Sequence, residues 1–513
     1  MGLQRKNRGL TPSGVGGHDR IRHQIRRDRE GLVVNKLAVN GGARGEALAT
    51  INTWTRRPGT FNFAPRLCVA WTPCVYRGPE QKIMFMRVVV FRQGEHVLPL
   101  VNKLPAPMNS KTFSTIVIGV GTMGSATCMQ LALRGECVLG IDRFTVPHAQ
   151  GSHHGGSRII RDCYFELPDY VPLLLRTRAG WDAMERQAIA CGADASLTLV
   201  QRPGVLYLGA PGSEVVARSQ SSGAVFDVVC EPLDAREVRA RFPQFHIPDD
   251  WTALFEPGSG FVRPERAIEA ALQVARAHGA QIHQGERVIE WSETATGVRV
   301  RTDRATYEAQ SLIITAGAWT PDIARTLGMA LTPLRVPVVW LAPVDAAMCA
   351  SPRMPVWYID RVNASKQNDA LNLYNLPTSH NANAAPGIYG IPTAPDQGEP
   401  AGVKIALHGA GTVCHPDAPR EPVTAQEIAE IQSIMKELIP AAAGAAVDSA
   451  ICLYTNTVDQ HFVVDQMPGC ACVWIACGFS GHGFKFMPVL GEALADLAMH
   501  GATPLPIGFL ARR

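Results

Sequence analysis

The chain has 513 residues, 46% hydrophobic and 18% charged, which suits a soluble globular protein of two or three domains. It has no uncharged apolar run of about 18 residues, which excludes a helical membrane span. The net charge of +4 hides a division: residues 1–107 hold 18 Lys and Arg against 6 Asp and Glu, leaving 31 and 39 in an acidic remainder.

The basic leader, with "RIRHQIRRDRE", reads as a nucleic-acid arm, an organelle-targeting segment, or a mostly disordered extension upstream of a misassigned start. The last is the expectation, because the leader lacks helical periodicity and Met108 opens "MNSKTFSTIVIGVG" like the beginning of a domain. Thirteen cysteines are scattered without paired spacing and no secretory signal can be assembled, so reduced thiols in a cytoplasm are expected.

From Ser114 the pattern is a βαβ unit: "TIVIGV" as a buried strand, "GTMGSATCMQLALRG" as a helix that Gly135 stops, and "CVLGIDR" as the next strand. Gly119, Gly121 and Gly124 form G-x-G-x-x-G at that turn, and Asp142 ends the following strand. The first glycine permits a tight turn, the second a close approach to pyrophosphate, the third close helix packing, and the acid reaches a ribose hydroxyl. Dinucleotide binding follows, with an unphosphorylated ribose; the fingerprint leaves FAD and NAD both open.

Farther along, "GAQIHQGERVIEW", "GVRVRT" and "ATYEAQSLIITAGAW" read as a strand meander feeding a parallel sheet. Alternating segments "GVLYLG", "RVPVVWLAPV" and "GVKIALHG" predict a second, sheet-rich domain interleaved with the first. Residues 362–386, rich in Asn, Ala, Ser and Pro, read as a loop insertion. Cys470, Cys472 and Cys477 in "GCACVWIACG" read as core cysteines rather than a metal set, since no histidine completes one, and no metal is expected at His153 and His154 either.

Three stretches in one order, "PHAQGSHHGGSRIIRDCY", "ICLYTNTVDQHFVVD" and "CGFSGHGFKF", resemble the monomeric sarcosine oxidase and N-methyl-tryptophan oxidase family over roughly residues 113–510. The resemblance implies an α/β fold, with a glutathione-reductase-like FAD domain (residues 112–195, 251–330 and 451–513) interleaved with an α+β catalytic domain (196–250 and 331–450). It implies a flavin held by a thioether to Cys452, a residue that taken alone reads as a small buried hydrophobe. Ser152, His153, Arg158, Val288, Gly481, Gly483 and Lys485 join the implied cofactor set.

For the substrate, Arg161 and Lys485 match the family's carboxylate-binding positions, Lys404 the lysine that assists oxygen reduction, and Arg158 the arginine beside the flavin. His408, Tyr454 and Tyr389 match the pocket wall, with Trp357 and Tyr358 near it. Gly156 stands where the family commonly has aspartate, and the insertion at 362–386 precedes Tyr389, so these departures leave the substrate's identity open, and Trp357 and Tyr358 near that wall point to one altered from or bulkier than sarcosine. The expected activity is oxidation of an N-methyl or other secondary amino acid by oxygen, in a monomer without nucleic-acid or membrane partners. A dehydrogenase of the same fold with another acceptor is the rival. A nicotinamide enzyme would leave Cys452 and "GFSGHGFKF" without a role.

Overall fold

The chain divides into two units, Met1–Ala106 and Pro107–Arg513. A computed structural model describes residues 112–360, 387–394, 400–409 and 411–513, and in the first unit the backbone of a few strands. Four of these, Val33–Gly41, Ala47–Trp54, Leu67–Ala70 and Val89–Phe91, form an antiparallel sheet. The rest of the leader and the insertion at 362–386 lie outside the described residues.

In the second unit, strand Thr112–Ile118 sits centrally in a sheet ordered Gln281–Gln284, Val138–Asp142, Thr112–Ile118, Thr306–Ile314, Gly297–Thr302, Val288–Thr294. The first four are parallel, and the last three form the antiparallel meander expected from their alternating pattern. Strand Val473–Cys477 runs parallel to the end of Thr306–Ile314. The pleat divides each strand between two cores. Val117 faces the helices Thr122–Leu133, Pro264–Ala277 and Met487–His500, while Ile116 and Ile118 face the opposite layer with Leu139, Val298 and Val300. Gly135, at φ +84°, follows the first helix in the left-handed conformation that stops it.

A second sheet of nine strands runs Glu231–Asp234, Thr252–Glu256, Val205–Gly209, Val356–Asp360, Gly387–Ile391, Val403–His408, Thr332–Leu341, Thr412–Val413, with Ala446–Asn456 also on Thr332–Leu341. Its order alters two expected boundaries. Strand Thr252–Glu256 belongs here, so this domain extends past 250, and Ala446–Asn456 spans the expected break at 450, which places Cys452 in the nine-stranded sheet rather than in the dinucleotide-type domain.

One face of this sheet carries Leu206, Trp357, Ile388, Ile405 and Val339 into a core with helix Ala425–Leu438. That helix begins with a capping box in which Thr424 and Glu427 each satisfy the other's backbone N–H. Cross-strand pairing puts Tyr207, Tyr358, Tyr389, Ala406 and Val338 in register on the other face, with Cys452 and Tyr454 two residues apart beyond them. The site forms on that face. Among the described residues no helix is long and apolar enough to cross a membrane.

Candidate active site

A cavity of ≈ 440 Å³ runs from the glycine turn to the face of the nine-stranded sheet. At the first end it is lined by Gly119, Gly121 and Asp142, and at the other by Ser152, His153, Arg158, Tyr389, Cys452, Tyr454, Gly481 and Gly483, with Val288 between. Gly124, Lys404, Arg161, Lys485 and His408 are not on its wall.

The turn is made of backbone. Gly119 has φ +85°, and a Cβ there would lie 2.6 Å from the Thr315 carbonyl oxygen; a Cβ on Gly124 would lie 1.9 Å from the Gly119 carbonyl oxygen. Only glycine permits this approach of helix to strand. Helix Thr122–Leu133 has no side-chain cap and no acid in its first turn, so its N-terminal N–H groups are left for an anion in the cavity. Asp142 takes the Val120 N–H at 3.0 Å and the Phe144 N–H at 2.9 Å, which fixes its carboxylate beside the turn. A dinucleotide fits this end, with its pyrophosphate over the helix and its ribose at Asp142.

At the other end Arg158 is the hub. Its guanidinium donates to the carbonyl oxygens of Ser157 (2.7 Å), Ser152 (2.8 Å) and His154 (2.7 Å), and to Cys452 Sγ at 3.4 Å. Burial works against its charge but is outweighed by Cys452, Tyr389, Glu265 and Tyr454, so its pKa is raised. Arg420 holds the same loop by the carbonyls of Ala149 (2.7 Å) and Gln150. Glu265 accepts the Gly156 N–H at 3.1 Å, so a carboxylate from another element reaches the loop position that lacks the family's aspartate. Burial raises the pKa of both Tyr389 and Tyr454, whose hydroxyls are hydrogen-bonded to each other.

Lys404, 2% exposed, donates to the carbonyls of Gly155 (2.6 Å) and Ser157 (2.7 Å), with its ammonium 5.5 Å from the Trp340 ring centroid. It braces the underside of the glycine-rich loop.

Arg161 and Lys485 converge on a group that the sequence reading missed, Glu166. Arg161 is ion-paired with it and stacks 4.2 Å over Tyr164 and 4.3 Å over Phe165. Burial favours the neutral acid, but Arg161, then His482, Lys485 and His408, bring Glu166 down to about 2. Lys485 donates to the His482 carbonyl at 2.7 Å. Burial, and then Arg161, hold its pKa well below the usual lysine value, with Glu166 opposing. Glu166 supplies an anion to the apolar surroundings of Lys485; "RDCYFE" carried the signal, an acid five residues beyond Arg161.

His482 was also missed. Its Nε2 faces the Gln460 carbonyl at 2.9 Å, so Nε2 carries the proton, and Nδ1 accepts the Tyr164 hydroxyl at 2.6 Å. Burial lowers it to about 3 and His408 to about 4, so both rings are neutral. His408 stands 6.0 Å from both Tyr358 and Tyr454, completing an aromatic wall. Trp357 does not join it: the strand's alternation turns this ring into the opposite core, against Phe245, while Tyr358 faces Phe165. The cysteines of "GCACVWIACG" also divide, with Cys477 buried in a strand and Cys470 and Cys472 half-buried in the turn before it.

Residues 114–497 match the family model described as FAD dependent oxidoreductase. A monomeric sarcosine oxidase from Streptomyces avermitilis is 39% identical over 405 residues, 79% of this chain and 98% of the relative. An N-methyl-L-tryptophan oxidase from Salmonella newport is 31% identical over 394 residues, 76% of this chain and 96% of the relative. Among solved structures, the open form of NikD, an unusual amino acid oxidase essential for nikkomycin biosynthesis, superposes with a TM-score of 0.64 at 23% identity, covering 79% of this chain and 98% of that one.

Proposed function

The chain belongs to the FAD dependent oxidoreductase family, among the monomeric sarcosine oxidases and N-methyl-L-tryptophan oxidases, and from that premise we propose that it oxidises N-methyl or other secondary amino acids. Oxygen is the proposed acceptor and hydrogen peroxide the second product. The observation that carries the substrate class is the convergence of two buried basic side chains, Arg161 and Lys485, on one internal acid, Glu166.

Bound in the cavity, FAD supplies the two-electron acceptor for the amine. The chain's own residues do the rest. An incoming substrate carboxylate adds a second negative charge to the cluster of Arg161, Lys485 and Glu166. It takes up the hydrogen-bonding capacity of the guanidinium fork and favours the charged form of Lys485. Neutral His408 and the hydroxyls of Tyr389 and Tyr454 then meet the amine end without adding positive charge, which suits a free-base amine. Tyr358 packs against Phe165, whose ring also stacks on the Arg161 guanidinium.

Lys404 places a buried cation under the loop that covers this end, and in this reading it stabilises the charge that builds on oxygen. Cys452, whose sulfur lies in the cavity wall 3.4 Å from the Arg158 guanidinium, is proposed as the covalent anchor. The protein is read as a cytoplasmic monomer, in keeping with its unpaired cysteine spacing.

Acid precipitation of the purified protein tests the anchor: yellow colour stays with the wild-type polypeptide and leaves with Cys452→Ser. A peroxide assay across N-methyl amino acids tests the activity. Failure of every secondary amino acid to reduce the flavin anaerobically would sink the substrate class, and reduction without peroxide formation in air would favour the dehydrogenase.

A further inference from the structure

Behind the carboxylate cluster, two cysteines that have no part in the proposed reaction meet. Cys163 lies between Arg161 and Glu166 in sequence and is fully buried. Its amide donates to Glu256 Oε2 at 3.3 Å, and its carbonyl accepts from Arg161 Nη1 at 3.2 Å and from the Tyr207 hydroxyl at 3.0 Å. Cys230, half-buried, comes from the segment after helix Glu214–Val225.

The two thiols meet at Gly223. Their sulfurs each lie 3.0 Å from the point where a Cβ on Gly223 would stand. Gly223 is within a helix, where glycine is less favourable than alanine. The missing methyl group is the space that the sulfur pair occupies.

We propose that Cys163 and Cys230 form a modification site at which a hydroperoxide converts two thiols into a disulfide, shifting the segment that carries Arg161 and Glu166. Cys230 is the more exposed sulfur, so it meets the oxidant. Its sulfur attacks the peroxide O–O bond, giving a sulfenic acid and releasing water. Cys163 sulfur then attacks Cys230 sulfur, the S–S bond forms, and the hydroxyl leaves as a second water. Two thiols lose two electrons and two protons, and one hydrogen peroxide becomes two waters. The sulfurs must close to about 2.05 Å. That movement pulls on the Cys163 carbonyl, one of the groups that hold the Arg161 guanidinium.

Formation of the bond is independent of the proposed activity; its effect on substrate binding rests on that reading. The flavin-loaded full chain is treated with hydrogen peroxide, alkylated, and mapped as peptides without reduction. The expected result is a Cys163–Cys230 cross-linked peptide that dithiothreitol reverses and that Cys230→Ser lacks. In Cys163→Ala, a sulfenic-acid probe should instead label Cys230. Cross-linked enzyme should show a KM for its amino acid raised about five- to tenfold with an unchanged flavin spectrum. Oxidation of exposed Cys137 with both inner thiols left reduced would overturn the site. A cross-link with unchanged KM would overturn its coupling to Arg161. Absence of peroxide production from any amine would sink the functional reading while leaving the cross-link in place.

Discussion

The two ends of the cavity are built in different ways. The nucleotide end comes from one continuous stretch, Thr112–Asp142, and works through backbone: a glycine turn, open helix N–H groups and one acid fixed by two amides. The reactive end is assembled from segments around residues 158, 389, 404, 452 and 482, and works through side chains held in place by carbonyls and by one another. A site of the first kind tolerates almost any side chain that points away from it and no side chain at its glycines. A site of the second kind folds under many substitutions and loses function one property at a time.

Gly124→Val tests the contrast most severely. With a Cβ 1.9 Å from the Gly119 carbonyl oxygen, helix and strand must separate. The expected loss is about 4 kcal/mol or more of stability together with nearly all bound flavin. Flavin absorbance per chain measures it, and a full complement in the variant would break the comparison.

Arg161→Leu comes next, because it leaves the largely buried Glu166 carboxylate without its ion-pair partner. Stability should fall by about 3–5 kcal/mol, read from urea midpoints, while flavin remains bound. Arg161→Leu with Glu166→Leu should restore most of that stability and none of the substrate affinity. Recovery of both would mean that the cation serves only its neighbour.

Lys404→Met should leave anaerobic bleaching by substrate intact and slow reoxidation in air about a hundredfold, roughly 2.7 kcal/mol of transition-state stabilisation. Equal slowing of both half-reactions would show that the lysine matters only as a brace for the loop.

The smallest effect is a pH slope. His482 and the less buried His408 are held at about 3 and about 4 in the folded chain, against 6.5 when exposed. Below pH 6.5 the unfolded chain therefore binds protons that the folded chain does not, so stability falls as pH drops from 6.5 toward 4. Each histidine contributes at most about 1.4 kcal/mol per pH unit in that window. His482→Asn should flatten the dependence of the urea midpoint between pH 7 and 5, and an unchanged slope would assign it to other groups.

How much could be seen in the residues follows the same division. The turn at Gly119, the stop at Gly135 and the meander ending at Ile314 were legible because local conformation and strand alternation leave their mark in contiguous sequence. Arg161, Lys485, Lys404 and Cys452 came through resemblance, since no local pattern says that positions hundreds of residues apart will meet. Glu166 and His482 lay inside motifs already singled out and still passed unassigned, because their roles depend on what faces them. Trp357 was misplaced by one step of the strand's alternation, a choice of face that needs the neighbouring strands to decide. The boundary at 450 fell within a strand because apolar alternation does not reveal which of two sheets a strand joins.

Strand Val473–Cys477 beside Thr306–Ile314, and the thiol at Cys452, impose an order on assembly. During translation the glycine turn emerges more than three hundred residues before its partner thiol, and the central sheet stays incomplete until residue 477 has cleared the ribosome. A nascent chain can shape the phosphate cradle early, yet the far wall of the cavity, with Cys452 and Gly481, arrives only when synthesis is almost over. A complete cavity is thereby deferred to the finished polypeptide.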